Sequence, residues 1–241
     1  MFPLQDLNPT RRFPLLTFVL IGINVLVFIW ELGLTEAQLA QAFLDLAIVP
    51  ANISDNPLSL ESFLDVVRSM FLHGGYEHIF GNMLYLYLFG DNLEDRCGRV
   101  LFLLLYFVSG FAAAGLQILI DPTSPIPMIG ASGAVAGVLG GYLILFPTVR
   151  VRGVIPIGFI PFFTEWPAFI VLGLWFVLQL FSGFASLGVP YQEGGGVAFF
   201  AHIGGFVAGA AIILLMTVFM PQPPVRQRET MLYERAQRYR W

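Results

Sequence analysis

Six stretches of the chain are apolar almost without interruption, and the polar positions gather between them. The runs are Phe13 to Leu32, Tyr76 to Phe89, Val100 to Ile120, Ala131 to Phe146, Pro167 to Phe184 and Ala198 to Met220. A helix that crosses a bilayer needs about 20 apolar residues, so the pattern predicts an all-α membrane protein with six transmembrane helices. The second and fourth runs are short for a full crossing. They are expected to begin below the membrane surface or to end in loops that dip inward.

The connections carry patterns of their own. Between the first two runs, Thr35 to Met70 mixes Leu and Phe with Glu36, Asp45, Asp55, Glu61 and Asp65, and is broken by Pro50 and Pro57. This predicts short amphipathic helices lying in the outer interface, as a long membrane-associated first external loop. Val151 to Trp166 is apolar but interrupted by Pro156, Gly158 and Pro161, with Pro167 following, and is expected to be a re-entrant or surface-lying loop. The resulting division is a polar N-terminal tail at 1–12, a membrane domain at 13–220 and a basic C-terminal tail at 221–241. No internal repeat is visible, so an inverted-repeat transporter gains no support.

Composition agrees with this class. Hydrophobic residues make up 57% of the 241 and charged residues only 12%, with a mean hydropathy of +0.77, values that belong to a polytopic membrane protein. The lone Cys97 excludes an intrachain disulfide and a thiolate zinc cluster.

Charge sets the expected orientation. All 12 basic residues are arginines. Arg11, Arg12, Arg96, Arg99, Arg150, Arg152 and the five of the C-terminal tail fall on one side of a six-span chain, and only Arg68 falls on the other. The positive-inside rule then places both termini in the cytoplasm, with the plasma membrane as the expected site. Because the charges are sorted by side and form no patch, nucleic acid is not an expected ligand.

The chemistry gathers at one level. The second, fourth and sixth runs all travel from outside to inside in this topology. Their outer ends carry His78 and Asn82 (four apart, hence on one helical face), Ser132, and His202. With a rise of about 1.5 Å per residue, Ser132 and His202 lie within roughly 5 Å in depth. Gly133, Gly137 and Gly141, and Gly205 and Gly209, recur at four-residue spacing, which lets two helix backbones approach closely in lipid. Such a stripe alone is a packing device, and a lone intramembrane histidine serves as often as a relay or a ligand. The coincidence of a nucleophile and a base at one depth is what points to hydrolysis. His73, Glu77 and His78 form a second cluster, but the spacing lacks the His-Glu-x-x-His form that puts two imidazoles on one face. No metal site is expected; His73 and Glu77 are expected to cap or anchor the second helix at the interface.

At these residues the chain resembles the rhomboid family of intramembrane serine proteases, over His73 to Gly209. The motifs are His73-x4-His78-x3-Asn82, Gly130-x-Ser132-Gly133 and Ala201-His202-x2-Gly205-x3-Gly209, with Glu94 and Arg96 similar to the family's acidic and basic pair. The chain departs from the family at Leu64 and Asp65, where a tryptophan-arginine pair is usual, although Arg68 follows. It departs again at Ala136, where some members place an aromatic that packs on the histidine; here the ring must be held by something else.

The resemblance implies a rhomboid-like bundle with its catalytic domain at 13–220, and a Ser132-His202 dyad without a third carboxylate. It also implies an oxyanion hole of Asn82, His78 and the Ser132 N–H, and no cofactor. The substrates it implies are transmembrane proteins in the lipid bilayer, cut near the outer ends of their spans. The Ser186 to Gly196 segment is expected to serve as a lid, the fifth helix as either a gate or a wall of lipid-facing aromatics, and Val225 to Trp241 either to rest on anionic lipid or to bind a partner. A catalytically idle relative that binds membrane proteins, or a channel or transporter, would be the alternatives. The first would be expected to lack Ser132 or His202, the second to carry polar residues toward the midplane, where the third and fifth runs offer almost none beyond Gln117 and Gln179.

Overall fold

The computed structural model describes residues 1–187 and 198–219. The lid expected at 186–196, beyond its first two residues, and the basic tail at 221–241 lie outside the described residues. The architecture is a helical bundle with a small antiparallel sheet at one end.

Six helices stand where the apolar runs predicted them: α1 (Leu15–Leu32), α5 (Tyr76–Cys97), α6 (Arg99–Ile120), α7 (Ser132–Leu145), α8 (Ala168–Ser186) and α9 (Phe199–Phe219). Four of them, α1, α6, α8 and α9, are long and apolar enough to cross a membrane. The expectation of a short second run is corrected, because α5 has 22 residues. It continues through Asp91, Asn92, Glu94 and Asp95, polar positions that the hydropathy pattern read as a stop. Folding gives two of them buried partners: Glu94 accepts the N–H groups of Leu16 (3.0 Å) and Thr17 (2.8 Å) and the Thr17 hydroxyl (3.0 Å). That carboxylate thereby caps the first turn of α1, whose preceding residue, Pro14, offers no side-chain cap. Asn92 donates to Asp6.

The connection between the first two runs folds as expected into short helices, α2 (Glu36–Leu46), α3 (Pro50–Asp55) and α4 (Leu60–Ser69). Thr35 and Gln38 form a capping box at the start of α2. On α4, Arg68 binds Glu61 (2.7 Å) and Asp65 (3.1 Å), so the acidic residue at the family's usual arginine position is paired one turn on. Backbone bonds from Met128 to Ile48, Ala51 to Ser124 and Gly130 to Ser69 fasten this connection to the loop that leads into α7.

The apolar segment after α7 is not re-entrant. It forms a hairpin of β2 (Arg150–Ile157) and β3 (Ile160–Pro167), paired from Arg150↔Pro167 to Ile157↔Ile160, with Gly158 at φ 60° in the turn. Pro156 and Pro161 lie directly opposite each other. Neither has an N–H to donate, so a non-hydrogen-bonded pair accommodates both without breaking the ladder. Reading them as interruptions missed that pairing. The outer edge of β2 takes β1 (Phe2–Asp6), giving a sheet of order β1-β2-β3.

The centre of the bundle is the α7/α9 contact. A methyl group added at Gly205 would strike the backbone of Gly133, and one at Gly209 the backbone of Gly137. The expected small faces therefore do bring these helices together, in parallel, with Ser132 and His202 at the same end.

Candidate active site

Gly130 sets the approach to the site. Its φ of 115° is a left-handed conformation that favours glycine, and a methyl there would lie 2.5 Å from His78 Nε2 and 3.6 Å from Asn82 Nδ2. The turn that presents Ser132 thus touches both α5 side chains. Ser132 is the first residue of α7, so its N–H belongs to the helix's unpaired first turn and lies at the positive end of the helix dipole.

Ser132, His202, His78 and Asn82 line one cavity of about 750 Å³, together with Glu77, Gln117 and Trp175. The four residues singled out by the sequence are therefore brought to one chamber. No hydrogen bond joins Ser132 to His202 directly among the described residues; catalytic contacts commonly tighten only when substrate is bound.

Local bonds assign the protons. The Gly74 N–H donates to His78 Nδ1 (3.4 Å), which leaves the ring hydrogen on Nε2, the atom beside Gly130. Asn82 Nδ2 donates to His73 Nε2 (3.0 Å), while His73 Nδ1 faces the Phe71 carbonyl (3.3 Å). His73 is therefore no interfacial cap. It is buried, its backbone N–H bound to Glu31 (3.0 Å), and it holds the amide of Asn82. Burial, reinforced by His78, pulls the His73 imidazole down to about 4, so at neutral pH the ring is uncharged and free to accept. Glu77 stands at the cavity wall with its side chain exposed.

Three residues absent from the expected site contact the helix that bears the imidazole. Gln179 Oε1 lies 2.7 Å from His202 Nδ1, and the Trp175 ring lies 6.0 Å from the His202 ring, tilted by 35°. Gln117 accepts the Ala201 N–H (3.3 Å) in the first turn of α9. The signal for both glutamines was present: each is an amide in an otherwise apolar helix, where an unpartnered polar group is costly.

The fold is that of a multi-pass membrane protein with a largely apolar cavity, carrying a few polar side chains, set into one end of its bundle. The chain belongs to the rhomboid family: the family model described as "Rhomboid domain" matches residues 61–219. Among curated proteins it is similar to "RHOMBOID-like protein 4" of Arabidopsis thaliana, at 33% identity over 57% of this chain and 30% of that protein. It is also similar to "Rhomboid protein 1, mitochondrial" of Saccharomyces cerevisiae, at 32% over 56% and 38%, and to "Putative rhomboid protease YdcA" of Bacillus subtilis, at 32% over 33% and 40%. The chain spans between 30% and 52% of the length of the plant relatives it matches.

Proposed function

We propose that the protein is an intramembrane serine endopeptidase that cuts transmembrane segments of membrane-protein substrates near their outer ends. The observation that carries this reading is the single cavity shared by Ser132, His202, His78 and Asn82. Ser132 Oγ attacks the scissile carbonyl carbon; its proton passes to His202 Nε2, and the carbonyl π pair moves onto oxygen. The oxyanion is met by the second N–H of Asn82, the Nε2–H of His78 and the N–H of Ser132. Collapse expels the amine, which takes the proton from His202 and leaves an acyl-enzyme. Water, deprotonated by His202, then adds to that ester and releases the acid and free Ser132.

The arginines support an orientation with both termini in the cytoplasm and the cavity opening outward, at the plasma membrane. A substrate helix hides its carbonyls in its own hydrogen bonds, so glycine, alanine or serine near the cut, by easing unwinding, favours cleavage.

Labelling of the detergent-solubilised protein with a fluorophosphonate tests this reading. The unaltered chain is expected to label, and Ser132→Ala and His202→Ala to lose the label. Labelling that survives Ser132→Ala removes the assignment, and a non-hydrolytic binder would leave all three proteins unlabelled.

A further inference from the structure

We propose that Gln179 is a positioning residue for this reaction: its side-chain oxygen accepts the Nδ1–H of His202, locks the ring in the tautomer with a bare Nε2, and so makes the base competent toward Ser132. The proposal rests on the Ser132-His202 reading above.

A neutral imidazole carries one ring hydrogen, and only the tautomer with Nε2 unprotonated can take a proton there. Elsewhere a buried carboxylate commonly enforces that choice. Here no Asp or Glu of α6, α7, α8 or α9 lines the cavity among the described residues; its acidic member is Glu77 of α5. What faces Nδ1 is the Gln179 amide at 2.7 Å, a neutral acceptor that selects the tautomer without adding charge to a low-dielectric site.

The backbone of α8 is arranged to hold that contact. Trp175, Gln179 and Gly183 follow one another at four-residue spacing, one face of the helix, and all three meet α9. Trp175 packs on the rings of His202 and Phe206, both at 6.0 Å. A methyl at Gly183 would sit in ordinary contact with Phe199 (3.4 Å) and with Ile203 and Phe200 (3.5 Å each). Gln179 lies between these two contacts, so its reach is set from both sides. The pair Trp175 and Gln179 also supplies what Ala136 cannot: one packs on the imidazole and the other bonds its far nitrogen. The remaining face of α8 presents Leu174, Val177, Leu178 and Phe181 outward, so a helix in contact with lipid carries the group that orients the base.

The test uses the full chain in detergent and reads the fluorophosphonate labelling rate across pH, together with the 15N signals of labelled histidine, His202 being identified by its loss in His202→Gln. Groups facing His202 across the cavity are His78, Glu77 and Asn82 of α5, Gln117 of α6, Ser132 of α7, and Trp175 and Gln179 of α8, and all except Gln179 are left intact. Gln179→Leu is expected to slow labelling about tenfold to a hundredfold and to abolish the Nδ1–H signature, with the melting temperature held. Gln179→Glu, whose ionised form only accepts, is expected to keep both the signature and the labelling. It is also expected to move the acid limb of the pH profile upward, because a carboxylate favours the imidazolium. Labelling of Gln179→Leu at the unaltered rate overturns the proposal. So does Gln179→Glu falling to the rate of Gln179→Leu, which would mean the amide donates. If the unaltered chain never labels while its Nδ1–H signature disappears in Gln179→Leu, the protease reading falls and the positioning contact stands.

Discussion

At the residue scale, the properties of the candidate site come from pairings that fix where hydrogens lie. Asn82 shows this best, because one amide hydrogen is committed to His73 Nε2 and the other is left for the cavity. Its replacement therefore has two consequences. Asn82→Ala is expected to lower kcat about a hundredfold to a thousandfold, the usual effect of removing one oxyanion donor. It is also expected to cost about 1–3 kcal/mol of stability, because His73 is left buried with an acceptor unmet. Turnover of a transmembrane peptide and thermal unfolding of the same preparation separate the two; unchanged kcat would take Asn82 out of the proposed hole. His78, Asn82, Ser132 and His202 were legible as single polar residues in apolar runs. The partners of Asn82 and His202 were not, since His73 lies outside the helix that bears Asn82 and Gln179 is distant in sequence from His202.

At the scale of elements, α5 is the instructive case. Its first half supplies His78 and Asn82, and its second half supplies Glu94 to cap α1. Glu94→Ala would leave two helix N–H groups and a hydroxyl without their acceptor, one of those N–H groups buried. The expected loss is about 2 kcal/mol, read as a lower melting temperature, with Glu94→Gln intermediate because one oxygen remains. A Glu94→Ala protein as stable as the unaltered one would show that α1 needs no cap. Hydropathy located the helices but misjudged α5, because it scores a side chain without its partner. For the same reason it missed the hairpin: Val151 and Gly153 are buried where Arg150 and Arg152 are exposed, an alternation of period two that the prolines obscured.

At the scale of the whole molecule, the two ends of the bundle are held by different means. The site end is tied by loop-to-loop backbone bonds; the other end is tied by the sheet, through Asp6. That side chain accepts the Asn8 N–H (2.8 Å) and the Asn92 amide (2.6 Å), linking β1 to α5. Burial outweighs these bonds and raises the carboxyl from 3.8 to about 8. The folded state thus keeps a proton that the unfolded chain gives up near 4. The stability this contributes is full below that value and is lost as pH rises toward 8. Asp6→Asn removes the titration, so its melting temperature relative to the unaltered protein is expected to climb between pH 5 and pH 8 and to level off above that. A difference that stays constant with pH would show that Asp6 is ionised throughout.

The amino-acid sequence alone determined the class, the sites of the helices and the four polar residues worth testing. Long apolar runs have few stable solutions in lipid, and a polar group kept inside one is costly enough to be conspicuous. Only the tertiary structure decided which groups face the ring nitrogens of each imidazole, that Gln179 rather than an aromatic at 136 meets His202, and that residues 2–6 complete a sheet. These depend on contacts between segments far apart in the chain, and hydrogen-bond geometry is set by the packing of helices, which no local pattern encodes.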